Sequence, residues 1–307
     1  MSFDYFRKWC MDKMINIIVV SVFLLFIIFI IFVTGISSGF QQVPVSARLI
    51  TKIASDNEGE SKRVKLKETI LANNNLVLSN KRIEWGIKRN DNNAQPDLGL
   101  TNKNLIEKYN GLAIGNSQKP YIYLTFDVGY EGGYTNKILD VLNDNNVKAT
   151  FFVTGQFVKT NPEIVKRMID EEHIVGNHTE NHKSMPDCSD ETIKEEIMKL
   201  HKRVYEQFEY EMKYMRPPKG EYSEKSLNCI QTLGYKVVMW SFAYDDWEND
   251  KQGREDYGKK KILDNLHNGE IMLLHATSKD NANILDYVIK EIKKQGYEFK
   301  NLDDFKV

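Results

Sequence analysis

From Tyr121 onward the chain alternates short apolar runs with segments of helical period, and this alternation constrains the fold most. The runs of strand length are Tyr121–Phe126, Ala149–Val153, His173–Val175, Lys213–Met215, Lys236–Trp240 and Ile271–Leu274, with a last short one at Tyr297–Phe299. Between them lie Tyr134–Asn145, Pro162–Glu172, Asp190–Phe208, Glu224–Leu233, Tyr257–Leu266 and Ala282–Gln295, each with the spacing of an amphipathic helix. Asn161 can cap the second helix, Pro162 suits its first turn, and Glu163 complements its dipole. Strands alternating with helices predict an α/β fold with a parallel sheet wrapped by helices. The number of units predicts a closed or nearly closed, distorted (β/α) barrel of about seven parallel strands.

In such a barrel the residue after each strand sits on one rim, where active sites form. Asp127 follows the first run, His178 and His182 the third, Arg216 the fourth, Asp245 and Asp246 the fifth, and His275 the sixth. Taken singly, each has a plainer explanation. An HxxxH pair is often two surface histidines. An Asp before glycine is often a turn residue, an Arg beside prolines often a structural ion pair, and a His ending an apolar run often a satisfied core group. Five segments delivering catalytic-type groups to one rim outweigh those separate explanations. His173, His201 and His267 lack that placement and read as structural or exposed.

Upstream, Ile15–Val33 forms a run of 19 residues that are almost wholly apolar, enough to cross roughly 30 Å of hydrocarbon as a helix. Arg7, Lys8 and Lys13 precede it and predict a cytoplasmic N-terminus. A cleaved signal peptide is the rival reading, but the small-residue site Val45-Ser46-Ala47 lies far past the core. The expected order is a cytoplasmic segment 1–14, a membrane anchor 15–36, a stalk 37–82 with a short helix near Val64–Leu76, and an extracytoplasmic domain 83–307 whose extension 83–119 packs against the barrel. The net charge of −1 gives no attraction to nucleic acid, and no protein partner is visible. The three cysteines, Cys10, Cys188 and Cys229, form no CxxC pair. Cys188 and Cys229 could bridge; the expectation is free thiols, with Cys229 in a helix core.

The motifs TFDVG, HTENH, RPPKG, DDW and LLH, in this order, resemble those of the polysaccharide deacetylases, carbohydrate esterase family four. The flanks EWGIKRNDNNAQPDLG, GYEGGYT and LLHATSKDNANILD narrow the resemblance to delta-lactam-biosynthetic de-N-acetylases of spore-cortex peptidoglycan. The resemblance spans roughly residues 83–305. It implies a general base at Asp127, a general acid at His275, and a divalent metal, zinc, on His178 and His182. It also implies that Arg216 positions Asp127 and that Asp246 orients His275. The Lys219 amide would hold an oxyanion, and Trp247 and Tyr130 would wall the substrate pocket. The implied substrate is the N-acetylmuramic acid of a peptidoglycan glycan strand, at the forespore or mother-cell envelope.

Two positions depart from the family pattern. Val128 stands where a metal-binding aspartate is usual, and Ala243 where the first aspartate of DxxDW is usual. Glu131, Asn177 and Asp245 are the candidates for a third metal ligand. Two rival readings follow: a deacetylase of N-acetylglucosamine in peptidoglycan or chitin-type glycan, and a non-catalytic, membrane-anchored glycan-binding protein.

Overall fold

The structure, a computed structural model, describes residues 78–90 and 92–305. Ile15–Val33, the stalk up to residue 77 and the helix expected near Val64–Leu76 lie outside the described residues. The membrane localisation is corrected: among the described residues no helix is long and apolar enough to cross a membrane. The longest, Asp190–Phe208, has 19 residues but carries DETIKEE in its first turns, which hydrocarbon would not accept.

Seven strands form one curled parallel sheet, a half-barrel. In chain order they are β2 (Tyr121–Val128), β3 (Thr150–Val153), β4 (Ile174–Asn177), β5 (Tyr214–Met215), β7 (Lys236–Val237), β8 (Glu270–His275) and β9 (Glu298–Phe299). The spatial order is β7-β5-β4-β3-β2-β8, with β9 paired to the start of β2. The edges approach each other. After β7 the chain runs on to Phe242, whose backbone bridges to Met272 of β8, while Ser241 N donates to Ile271 O. A separate two-stranded antiparallel sheet joins β1 (Ile83–Glu84) to β6 (Glu221–Tyr222). In the stretch read as stalk, Asn80 hydrogen-bonds to the Pro186 carbonyl and to Ser223, and Arg82 pairs with Asp187.

Period-two alternation along β2 sorts its side chains between two layers. Ile122, Leu124, Phe126 and Val128 enter the large core shared with the helices. Tyr123 joins the smaller interior cluster with Phe152, Tyr214 and Ile271. Thr125 and Asp127 have the parity of Tyr123, so β2 sends a hydroxyl and a carboxylate inward near its C-terminal end. Phe126 and Phe151, fully buried, stack at 5.1 Å across β2 and β3. Truncating either to Ala would cost about 3–5 kcal/mol.

The helices follow their sequence signals closely. They are α2 (Thr135–Asp144), α4 (Pro162–Asp170), α5 (Asp190–Phe208), α6 (Glu224–Thr232), α7 (Glu255–Leu263) and α8 (Lys279–Lys294). Two were not anticipated. In α1 (Leu100–Lys108) only Ile106 is buried, which leaves no readable stripe. The helix α3 (Gly155–Thr160) is six residues long, under two turns, and is started by Thr154, which accepts from Phe157 N. The capping expectation at Asn161 is corrected: its side chain makes no cap bond to α4 and donates instead to Phe157 O and Thr160 Oγ1, because it also ends α3. Pro162 and Glu163 hold their expected places. Cys188 and Cys229 are free, and Cys229 is half-buried rather than a core residue.

Candidate active site

The register of the sheet sets the site. Asp127 on β2 lies level with His275 on β8, and Arg216 immediately follows β5. The fully buried Arg216 guanidinium donates from Nη1 to Asp127 Oδ1 at 2.8 Å and from Nη2 to Thr125 Oγ1 at 2.9 Å. Its Nε donates to Val238 O at 3.0 Å, and it lies over the Phe152 ring at 4.3 Å. With a fourth bond from Nη2 to Met239 O at 3.3 Å, four of its five N–H groups find partners inside the sheet, the condition for keeping a charge there. Burial opposes ionisation of Asp127, but Arg216, aided by His178 and His275, outweighs it and holds the carboxyl below its ordinary value.

His178 Nδ1 lies 2.9 Å from Arg216 O. A carbonyl only accepts, so Nδ1 carries the proton and Nε2 keeps a lone pair. That lone pair faces Asp127 Oδ2 at 3.5 Å. The His182 ring meets His178 edge-on, centroids 4.8 Å apart. Burial lowers the pKa of His178. It also lowers His182, with help from His178, to about 4. Both are therefore neutral at neutral pH. The HTENH segment is a loop, with Thr179 and His182 in the left-handed region at φ +71° and +56°. Asn177 Oδ1 accepts from Thr179 N, Thr179 Oγ1 from His182 N, and the buried Glu196 of α5 from Asn181. These bonds hold the loop in a conformation that costs energy.

His275 is fixed from the other side. Asp246 Oδ1 lies 2.7 Å from His275 Nδ1, and Oδ2 accepts from the His275 amide at 2.7 Å. Asn281 Nδ2 donates to Asp246 Oδ2 at 2.5 Å and is itself held by the Tyr244 hydroxyl. Ser278 caps α8 by accepting from Asn281 N, which places Asn281 in the first turn, facing Asp246. Burial disfavours the His275 imidazolium, but the Asp246 carboxylate more than offsets this and raises its pKa. Nδ1 is committed to Asp246, so Nε2 is the atom that carries or releases a proton at the cavity.

A cavity of about 1140 Å³ opens over these groups. Asp127, His178, His182 and His275 line it, with Tyr130, Lys219, Trp240 and Trp247 around them. Tyr130 and Trp247 are 46% and 59% exposed, so both offer open aromatic faces. Lys219 and Gly220 adopt φ of +59° and +67°. A Cβ on Gly220 would come within 2.6 Å of the Trp240 ring, so that turn needs glycine.

The three candidates for a third ligand have other partners. Glu131 accepts from Gly133 N and from Thr135, at the start of α2. Asn177 is buried, bonded to Ile197 O and Thr179 N. Asp245 pairs with Arg254 and Tyr257, which with burial opposing hold its pKa near 2. None of the three lines the cavity. Val128 is fully buried in the apolar layer between sheet and helices. Among the described residues no group of three or more His, Cys, Asp or Glu forms a metal cage. What remains is a pair of adjacent neutral imidazoles, suited in chemistry to a divalent ion but one protein ligand short of the usual catalytic zinc set.

Residues 114–238 match the polysaccharide deacetylase family. Over 229 residues the chain is 45% identical to the peptidoglycan-N-acetylmuramic acid deacetylase PdaA of Bacillus subtilis, covering 74% of this chain and 87% of that protein. The chain belongs to the polysaccharide deacetylase family. The solved structure of Bacillus subtilis PdaA, a family 4 carbohydrate esterase, matches with a TM-score of 0.72 at 44% identity, over 74% of this chain and 98% of that one. A peptidoglycan-N-acetylglucosamine deacetylase of Bacillus cereus is 33% identical over 201 residues, 64% of this chain and 72% of that protein. This deacetylase is accordingly a hydrolase of amide bonds.

The structure brings Asp127, His178, His182, Arg216, Lys219, Asp246, Trp247, Tyr130 and His275 to one site. Four contributors escaped the sequence reading: Thr125, Glu196, Trp240 and Asn281. Thr125 carried a signal in its parity with Asp127. Glu196, Trp240 and Asn281 had none, because only the fold brings α5, the segment after β7 and α8 to the rim.

Proposed function

We propose that this deacetylase removes the acetyl group from N-acetylmuramic acid in peptidoglycan glycan strands, a step toward muramic delta-lactam in spore cortex. The observation that carries the reading is the opposed pair Asp127 and His275, level on adjacent strands and each oriented by its own buried partner. The 45% identity to a peptidoglycan-N-acetylmuramic acid deacetylase supports the sugar.

In this reading water adds to the acetamide carbonyl, the C–N bond breaks, and acetate and the sugar amine leave. Asp127 Oδ2 accepts the proton from water while Arg216 keeps Oδ1 fixed. His275 Nε2 gives a proton to the leaving nitrogen, and the Asp246 carboxylate at Nδ1 favours the imidazolium form that supplies it. The Lys219 amide would hold the oxyanion. Tyr130 and Trp247 flank the sugar rings. His178 and His182 would hold a divalent metal, with zinc favoured by imidazole ligands. When bound, the ion lowers the pKa of water and polarises the carbonyl. With Val128 in the apolar layer, two protein ligands predict weak retention of that ion.

The test is acetate release from glycan strands stripped of stem peptides, with and without added zinc, using Asp127→Asn as control. Release that needs metal and vanishes in the variant is expected. No release with any divalent metal would sink the reading. The N-acetylglucosamine alternative, favoured by the Bacillus cereus relative, predicts glucosamine rather than muramic acid in the product by mass analysis.

A further inference from the structure

Beside the catalytic cavity lies a second one of about 680 Å³. The two share Gly129, Tyr130 and His182 as a common wall, so a chain occupying one reaches the other. The second cavity differs in charge. Lys159, Lys199 and Arg203 line it, with Glu180 as the one acidic group on its wall. The catalytic cavity instead carries Glu248 and Asp250 next to Trp247. A net-positive pocket is notable on a chain whose overall charge is −1.

The site is built rather than incidental. Glu180 lies inside the HTENH loop and is 8% exposed. Its Oε1 accepts from Arg203 at 2.6 Å and pairs with Lys199 at 3.3 Å. Lys199 and Arg203 follow Glu196 at i+3 and i+7 on α5, one face of that helix, and Glu196 anchors the same loop. Gly155 makes the room: a Cβ there would collide with the Glu180 carboxylate. Two buried polar atoms at this spot lack hydrogen-bond partners, Glu180 Oε2 and Arg203 Nε. One buried carboxylate thus orients two cations, and the 64% exposed Lys199 keeps ammonium N–H groups for an anionic ligand carrying its own oxygens.

We propose that this second cavity is a subsite for the carboxylate of an acidic sugar, held while the acetamide of the same strand lies over Asp127 and His275. The proposal rests on the glycan reading above and adds a specificity element to it. The lactyl carboxylate of muramic acid is free only when no stem peptide is attached, so the subsite selects stripped strands. Glucosamine lacks that group and gains nothing from the pocket.

The experiment measures calorimetric binding of the full chain to two glycans. One is the peptide-stripped strand, and the other is that strand with its carboxylates converted to neutral methylamides. Acetate release is followed in parallel. Wild type should bind the carboxylate strand about tenfold more tightly, the scale of two to three solvent-accessible charge contacts. The Lys159→Gln/Lys199→Gln double variant, altered only at exposed positions, should lose that preference and bind the methylamide strand as wild type does. Glu180→Gln/Arg203→Gln, which removes the carboxylate and its partner cation together, should also lower that preference relative to wild type. Equal binding of both strands by wild type, equal weakening of both by the lysine variant, tighter binding of stem-bearing strands, or no glycan binding at all would each overturn the proposal. Carboxylate-dependent binding without acetate release supports the subsite and strikes only the proposed deacetylation.

Discussion

The two ends of β8 carry the same kinds of group in opposite states. At its C-terminal end His275 sits with Asp246, its side chain 24% exposed at the cavity. At its N-terminal end His267 sits with Ser241 and Glu270, its side chain 3% exposed. The lower group contains a hydroxyl, an imidazole and a carboxyl, the inventory of a hydrolytic triad. His267 Nδ1 donates to Asn265 O, so Nε2 accepts from Ser241 Oγ at 2.8 Å. Ser241 Oγ in turn accepts from Ile271 N. Burial pushes His267 down to about 4, with the Asn265 carbonyl countering, and pushes Glu270 well above the usual carboxylate value. One Glu270 oxygen has no hydrogen-bond partner. His267 is therefore neutral near pH 6, the Glu270 carboxyl is pushed toward its uncharged form, and Ser241, 2% exposed, meets no substrate. At the rim, Asp246 accepts from the His275 amide and from Asn281, and its carboxylate raises His275. Residue type does not make a catalytic group. Access and a paired charge do.

Mutations break this symmetry in measurable ways. The largest effect is expected at the rim. His275→Gln should lower acetate release about 10²–10⁴-fold, the worth of a general acid, while the melting temperature hardly moves. A melting loss as large as the rate loss would mean His275 is structural. At the floor the pattern should invert. His267→Ala should cost about 2–4 kcal/mol of stability through lost hydrogen bonds and a cavity, read by denaturant titration, with kcat nearly unchanged. A collapse of kcat in the folded variant would make the floor part of the site.

A smaller effect should appear in the pH profile. As the proposed general acid His275 must be protonated, and its pKa is raised above 6.5, so activity should fall only as pH rises past 6.5. Asp246→Asn removes the raising charge and should draw that alkaline limb toward lower pH. An unmoved limb would assign it to another group. The smallest effect is expected for Glu270→Gln. Burial pushes this carboxyl toward its uncharged form, so exchange for an amide should cost under about 1 kcal/mol. A loss of several kcal/mol would mean that Glu270 is ionised.

The central strands and most helices were legible because their burial pattern repeats along a continuous segment. Strand ends were less so. Asp127 reads as a residue after the strand, yet backbone pairing with β3 and β8 carries β2 through Val128. Neither α1 nor α3 left a periodic signature, one for want of buried residues and the other of length. The rim set was legible as residue types following apolar runs. The fates of Glu131, Asn177 and Asp245 were not, because each is settled by a partner: the start of α2, the HTENH loop and Arg254. His267 looked unremarkable in sequence, and it is indeed structural, although it has a triad-like neighbourhood that only the fold assembles.

The sequence by itself determined the alternation of strands and helices, the parity that turns Thr125 and Asp127 inward, and the motif order that marks the family. These are local properties, carried by the period of the backbone and by side-chain chemistry. Tertiary structure alone decided that Asp127 and His275 stand level, that Asn281 supports Asp246, and that Lys199 and Arg203 face the loop holding His178 and His182. Those relations depend on sheet register and helix packing, which join residues up to about 150 positions apart. No short-range pattern encodes that distance, because it is set by the closure of the whole sheet.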